Sequence, residues 1–298
     1  MKKSIVTFLL FLLSPFCFAK VHILTCEPEW AALANTLAGD YVDIYSATSA
    51  MQDPHTIQAR PSLIAHARKA DLLICSGAEL EIGWLPLLLQ KSGNPNIQPK
   101  TLGYFMTSNY VPLLEKGGQA DRSAGDIHLA GNPHIHTSPY NVLKVADALV
   151  PVLTQLLPEH AEQIKKNHAA FTAKMQQSLA TWQPILDQLH GKKIVVYHDY
   201  WVYLSAWANL EKVASLEPKP GVPPTTTHLT ELLGQMKREP ANLIIFANYH
   251  DKKPAQWLSS RTGIPSVELP SSVYEWEKPD ALIQWYDQLL HLIQAHAS

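Results

Sequence analysis

The stretch Glu159–Leu189, EHAEQIKKNHAAFTAKMQQSLATWQPILDQL, contains no glycine and a single proline, Pro184. With so few breakers it predicts a long helix that Pro184 kinks or interrupts. Just upstream, Asn141–Leu157 carries apolar residues at helical spacing, and Pro158 stands where a new helix starts. On both sides of this helical region the pattern changes to short apolar runs alternating with helical segments, the mark of mainly parallel sheets. A helical span of this length between two such regions reads as a rigid connector rather than a flexible linker. The expected fold class is therefore α/β, with two α/β lobes joined by a long rigid helix. Residues 20–140 form the N-terminal lobe, 141–190 the helical segment with the linking helix, and 191–298 the C-terminal lobe.

In the first lobe, Val21–Cys26 (VHILTC), Tyr41–Ala47, Asp71–Ser76 (DLLICS) and Leu102–Met106 read as strands. Helices are expected over Trp30–Leu37, over Arg60–Ala70 with Pro61 in its first turn, and in a stretch ending near Lys91. Gly117–Asp126 reads as an exposed loop. In the second lobe, Ile194–Tyr197, Leu243–Ala247 (LIIFA) and Ser266–Leu269 read as strands. Trp201–Ala208, Thr225–Lys237, Pro254–Thr262 and Pro279–Gln294 read as helices, and Glu217–Pro224 as a proline-rich loop.

Residues 1–19 have Lys2 and Lys3, an apolar run from Ile5 to Leu13, and a small-residue end at Cys17-Phe18-Ala19. This is the pattern of a secretory signal peptide with cleavage after Ala19. The run is shorter than the roughly 20 residues of an ordinary transmembrane helix, and stable membrane insertion is not expected. Without Lys2 and Lys3 the chain has 22 basic and 26 acidic residues, a formal balance of −4. That mild acidity argues against nucleic acid as a partner. Export permits a disulfide between Cys26 and Cys75, which end two strands expected to be neighbours; two buried thiols are the equal alternative.

Among fourteen histidines, three stand out by position. His55 and His134 each follow a proline, in Asp53-Pro54-His55 and Asn132-Pro133-His134. The proline stiffens the backbone from which the imidazole leaves. His198 ends a strand in Val196-Tyr197-His198-Asp199-Tyr200, and open α/β sheets bind ligands beyond the carboxyl ends of their strands. Asp199 beside it is the expected hydrogen-bond partner of its ring. Asp280, before the last helix, is the fourth candidate, with Glu275, Glu277 or a water as substitutes. Each position has an ordinary alternative: a solvated loop histidine for His55 and His134, and a helix N-terminal acid for Asp280. His136 lies two residues from His134, on the same face of an extended segment, and is read as a gate or supporting residue. His128 and His250 are weaker candidates. Three imidazoles and a carboxylate suit tetrahedral zinc, whereas manganese favours more oxygen donors; copper and nickel rival or outrank zinc on intrinsic affinity, so zinc is a preference from ligand type and geometry.

With these pieces assembled, the chain resembles the metal-specific solute-binding proteins of ABC transporters, in their zinc/manganese cluster. The resemblance rests on Asp53-Pro54-His55, Ala70-Asp71-Leu72-Leu73 leading to Gly77-Ala78-Glu79-Leu80-Glu81, Asn132-Pro133-His134, Tyr197-His198-Asp199 and Leu216-Glu217-Pro218-Lys219-Pro220-Gly221. It implies two lobes with the metal in the cleft between them, and ligands at His55, His134 and His198. A glutamate where His198 stands is associated with manganese, so the resemblance tilts toward Zn2+ with Mn2+ second. The carboxylate of the family falls near Asp280, although Tyr274-Glu275-Trp276-Glu277-Lys278-Pro279 departs from the usual glycine-containing pattern. Gly117–His128 is short and has one histidine, unlike the long metal-collecting loop of many zinc members. The implied function is a periplasmic, monomeric, non-enzymatic protein that delivers zinc to an ABC-transporter membrane permease. An exported zinc hydrolase is the alternative, but no HExxH motif occurs and no glutamate is obviously placed as a general base.

Overall fold

Two short apolar strands seed each lobe, and the remaining strands pair with them in parallel. The computed structural model describes residues 20–117 and 128–297. The signal-peptide reading of 1–19 and nearly all of the loop expected at Gly117–Asp126 lie outside the described residues. In the first lobe β1 (Val21–Thr25) lies between β2 (Val42–Ser46) and β3 (Leu72–Cys75), and β4 (Tyr104–Met106) extends the far edge, giving the order β2-β1-β3-β4. In the second lobe β5 (Lys193–Val196) lies between β6 (Glu211–Ser215) and β7 (Leu243–Ala247), with β8 (Ser266–Leu269) outermost. Both sheets are parallel and repeat one strand order. The central strands β3 and β7 are buried throughout, as a sheet covered on both faces requires.

Strand β6 has no counterpart in the sequence reading. Its sequence, Glu-Lys-Val-Ala-Ser, lacks a buried apolar run because it is an edge strand with its first two residues exposed. Periodicity carries little information in such a strand.

The helices are α1 (Pro28–Ala38), α2 (Pro61–Lys69), α3 (Leu85–Ser92), α4 (Pro139–Leu156), α5 (Ala161–Leu189), α6 (Val202–Ala208), α7 (Thr226–Arg238), α8 (Lys253–Thr262) and α9 (Ala281–His296). Helix α5 is the predicted connector and runs without interruption through Pro184. Trp182 and Leu186, on either side of that proline, are both buried in the main core. Tertiary packing there outweighs the lost backbone hydrogen bond. That core is continuous between the lobes. It runs from Ile23 and Leu33 through Leu149 of α4, Met175 of α5 and Tyr286 of α9 to Ile194 and Leu243. The outer face of each sheet has its own smaller cluster, with Leu24, Leu73 and Leu88 in one and Val195, Ile244 and Leu258 in the other. No helix among the described residues is long and apolar enough to cross a membrane.

Cys26 and Cys75, following and ending the adjacent strands β1 and β3, form a disulfide with Cα atoms 4.8 Å apart. Beside it, Glu27 and Glu81 are buried together. The Glu81 carboxylate accepts from the backbone N–H groups of Ser76 and Gly77, and Glu27 accepts from the Ser76 hydroxyl at 3.0 Å. Burial, then the Glu81 and Glu29 charges, hold Glu27 far above the ordinary carboxylate range, and burial pushes Glu81 up to about 7. Two acids this close in a dry site share a proton.

Two outcomes follow. Replacing Cys26 and Cys75 together by alanine should cost about 4 kcal/mol in denaturant melts, the loop-closure value for a crosslink spanning 49 residues. Above about pH 5 the unfolded glutamates have released protons that the folded pair retains, Glu81's up to about 7 and Glu27's beyond it, so the stabilisation is full in acid and declines as pH rises. Glu27→Gln should therefore gain stability relative to wild type across that window, by up to about 1.4 kcal/mol per pH unit. A pH-independent difference in metal-free melts would refute proton sharing.

Candidate metal centre

Three loops at the carboxyl ends of strands meet between the two sheets. The segment between β2 and α2 contributes His55, the turn entering α4 contributes His134, and the chain leaving β5 contributes His198. One ring nitrogen from each lies within 4.8 Å of the corresponding atom of the other two. The ring centroids are 5.4 Å apart for His55–His134, 5.5 Å for His55–His198 and 5.6 Å for His134–His198. The three histidines singled out in the sequence thus converge.

The two Pro-His loops share a specific geometry. Asp53 Oδ1 accepts from the backbone N–H of His55 at 3.0 Å, and Asn132 Oδ1 accepts from that of His134 at 3.0 Å. Each is an aspartate or asparagine that closes a turn over the intervening proline, a habit of these short side chains. The same Asp53 oxygen lies 2.7 Å from His55 Nδ1, so one carboxylate sets both the backbone and the ring. Burial works to raise the Asp53 carboxyl, but its bonds to His55 and the nearby His198 hold it below its ordinary value.

His198 Nδ1 lies 2.8 Å from Glu217 Oε2. The expected partner, Asp199, instead pairs with Lys212 at 2.7 Å. The reason is local: His198 is extended (φ −127°, ψ 160°), so successive side chains leave on opposite sides. Glu217 follows β6, whose Ser215 is paired with Val196 of β5, and this carries it alongside His198. Because β6 was not legible as a strand, neither was this contact. Burial works to lower the His198 imidazole, but Glu217, Asp199 and Asp53 hold it above its ordinary value.

His134 differs from both. It is 0% exposed, and neither ring nitrogen has a hydrogen-bond partner. Burial and then the neighbouring histidines push its pKa far down, so it is neutral with a lone pair available. The Tyr200 ring lies tilted against it, with centroids 4.1 Å apart. A buried imidazole with two unpartnered nitrogens is costly unless something else binds there.

Asp280 is the correction to the expected ligand set. It is absent from the histidine group, and both its oxygens accept from Lys174 Nζ of α5 at 2.9 Å. At the entrance to α9, in a left-handed conformation (φ 57°), it meets a full positive charge that neutral imidazoles do not offer. Neither substitute replaces it. Glu275 pairs with Lys278, and Glu277 is exposed.

His136 is buried rather than solvated. Its Nδ1 stands 3.1 Å from Glu29 Oε1, and its Nε2 lies 3.1 Å from the Tyr200 hydroxyl and 3.2 Å from the Ser271 carbonyl. Ser272 Oγ donates to the other Glu29 oxygen. Glu29 belongs to the first lobe, and Tyr200, Ser271 and Ser272 to the second. This ring of contacts therefore joins the lobes next to His134. Asn132 adds a second tie, donating from Nδ2 to the Asp199 carbonyl at 2.6 Å while its own carbonyl accepts from the Tyr203 hydroxyl at 2.7 Å. His250 Nδ1 accepts from the Ala247 N–H, and its ring stacks on Tyr197. It serves its own loop.

A family profile described as zinc-uptake complex component A, periplasmic (ZnuA), matches residues 23–296. The zinc-binding lipoprotein AdcA of Streptococcus pneumoniae (strain ATCC BAA-255 / R6) is 24% identical over 249 residues, covering 82% of this chain and 48% of AdcA. The chain thus spans about half the length of that relative. The manganese ABC transporter substrate-binding lipoprotein PsaA of Streptococcus pneumoniae is 22% identical, covering 83% of this chain and 78% of PsaA. In three dimensions a crystal structure of ZnuA superposes with a TM-score of 0.77 at 21% identity, over 94% of this chain and 100% of that one. With two parallel-sheet lobes, a helix joining them and a profile match over nearly all its length, the chain belongs to the ZnuA family.

Proposed function

We propose that this protein captures a divalent transition-metal ion, zinc by preference, in the periplasm and delivers it to an inner-membrane ABC permease. The observation that carries this reading is His134, fully buried with both ring nitrogens unpartnered, between His55 and His198. His55 and His198 each have one nitrogen tied to a carboxylate, which leaves the other to face inward. Carboxylate–imidazole–metal chains of this kind fix the ring and raise its basicity. Three imidazoles favour zinc over manganese on donor type. His134 and His198 are buried and His55 is only partly exposed, which favours a small ion over a hydrolase substrate. Two ligands come from loops packed on the first lobe and one from the second, so release needs His198 to separate from the other two. The shared core keeps that movement small, and the permease would have to drive it.

His134→Ala should weaken zinc binding by orders of magnitude in competition with a chromogenic chelator, with melting of the metal-free protein little changed. Unchanged affinity would sink the reading. Asp53→Asn and Glu217→Gln keep all three rings but remove their carboxylates. Each should cost about 10- to 100-fold in zinc affinity, measured in the same competition.

A further inference from the structure

His55 has a third aromatic neighbour that the three-histidine site leaves unexplained. Its Nε2, the nitrogen turned away from Asp53, lies 3.3 Å from Nε2 of His128. The two ring centroids are 5.4 Å apart, the same spacing as His55 to His134 and within 0.1 Å of His55 to His198. In a tetrahedral site with metal–nitrogen bonds of about 2.0–2.1 Å, neighbouring donor atoms stand about 3.3–3.4 Å apart. The His55–His128 pair already has the edge length of such a tetrahedron.

The backbone holds His128 toward the cleft. Leu129 N donates to Glu79 Oε2 at 2.7 Å, and the His128 carbonyl accepts from Gly131 N at 3.0 Å. Gly131 has φ +124°, and a Cβ there would lie 2.7 Å from Leu113 Cβ and 2.9 Å from the Leu114 carbonyl oxygen. Only glycine fits this turn between His128 and His134. His128 is outside the group whose donor atoms all lie within 4.8 Å. Closing the fourth corner therefore needs its ring to move toward His134 and His198.

We infer that His128 is the fourth metal ligand, filling with an imidazole the position where a carboxylate near Asp280 was expected. This rests on the proposed metal-capture function. It makes the donor set four neutral nitrogens, with Asp53 and Glu217 balancing the ion's charge one bond further out. Such a set suits zinc, nickel or copper and disfavours manganese. The competing explanation of the 3.3 Å contact is a proton shared between two neutral rings, with His128 never reaching the metal.

X-ray absorption of the full chain loaded with zinc alone separates the two. Four imidazoles in the wild type and three in His128→Ala are expected, with the variant binding zinc about 100-fold or more weakly, at least the loss seen when a ligand's supporting contact is removed. Melting of the metal-free variant should match wild type. Three imidazoles in both proteins, or unchanged zinc affinity in His128→Ala, overturns the inference. The His134→Ala titration keeps the two readings apart. If His134→Ala loses zinc while wild type has three imidazoles, only His128 is removed from the site. If His134→Ala binds as wild type does, the three-histidine site itself fails.

Discussion

Histidines this close, with so little access to water, cannot all carry a proton. Each additional charge would face its neighbours across a few ångströms without solvent to screen it. The site must therefore be neutral at His134, and a proton held on the His198 ring is met by the Glu217 carboxylate. Much of the surrounding structure answers that requirement. Asp53 and Glu217 each take one nitrogen of a ring. The Asx-Pro-His turns fix where the rings leave the backbone. His134 alone is left with nothing on either nitrogen. That free lone pair in a dry site is the feature on which the proposed metal capture rests.

The scaffold suits that task because the lobes are not independent bodies. Helices α4, α5 and α9 contribute to one core that includes residues of both sheets. Opening such an assembly widely would expose Leu149, Met175, Trp182 and Tyr286, each buried. Burial of each large side chain is worth about 1.5–3 kcal/mol. Small tilts that leave this core intact are the movements available to it.

Most of the fold was legible in the sequence because its signals are local and strong. Val21–Thr25, Leu72–Cys75 and Leu243–Ala247 are mainly apolar runs with clear boundaries, and α5 has few breakers. The histidines were legible because proline and strand-end positions marked them. What failed had a common cause, since partners distant in sequence were assigned by adjacency. Asp199 was assigned to His198 because it is next in the chain, yet an extended backbone turns it away and the edge pairing of β6 supplies Glu217 instead. Asp280 was chosen from its place before α9, and Lys174, 106 residues earlier, decides its contact. Asn132 offered a usable signal, because Asp53-Pro54-His55 and Asn132-Pro133-His134 repeat one turn. The choice between disulfide and thiols needed the register of β1 against β3.

The ring of contacts around His136 bears on how fast the proposed metal ion would leave. Glu29 stands 3.1 Å from the His136 ring, and His136, Tyr200 and Ser271 share hydrogen bonds, across the lobe boundary, without solvent, beside His134. Pulling the lobes apart would leave a buried carboxylate and imidazole without their partners before water reached them, a penalty of about 3–5 kcal/mol for a broken buried pair. Paid at the transition state, that penalty would slow spontaneous escape by roughly 150- to 5,000-fold. The site would then behave as a latch with a long residence time for an ion held beside His134.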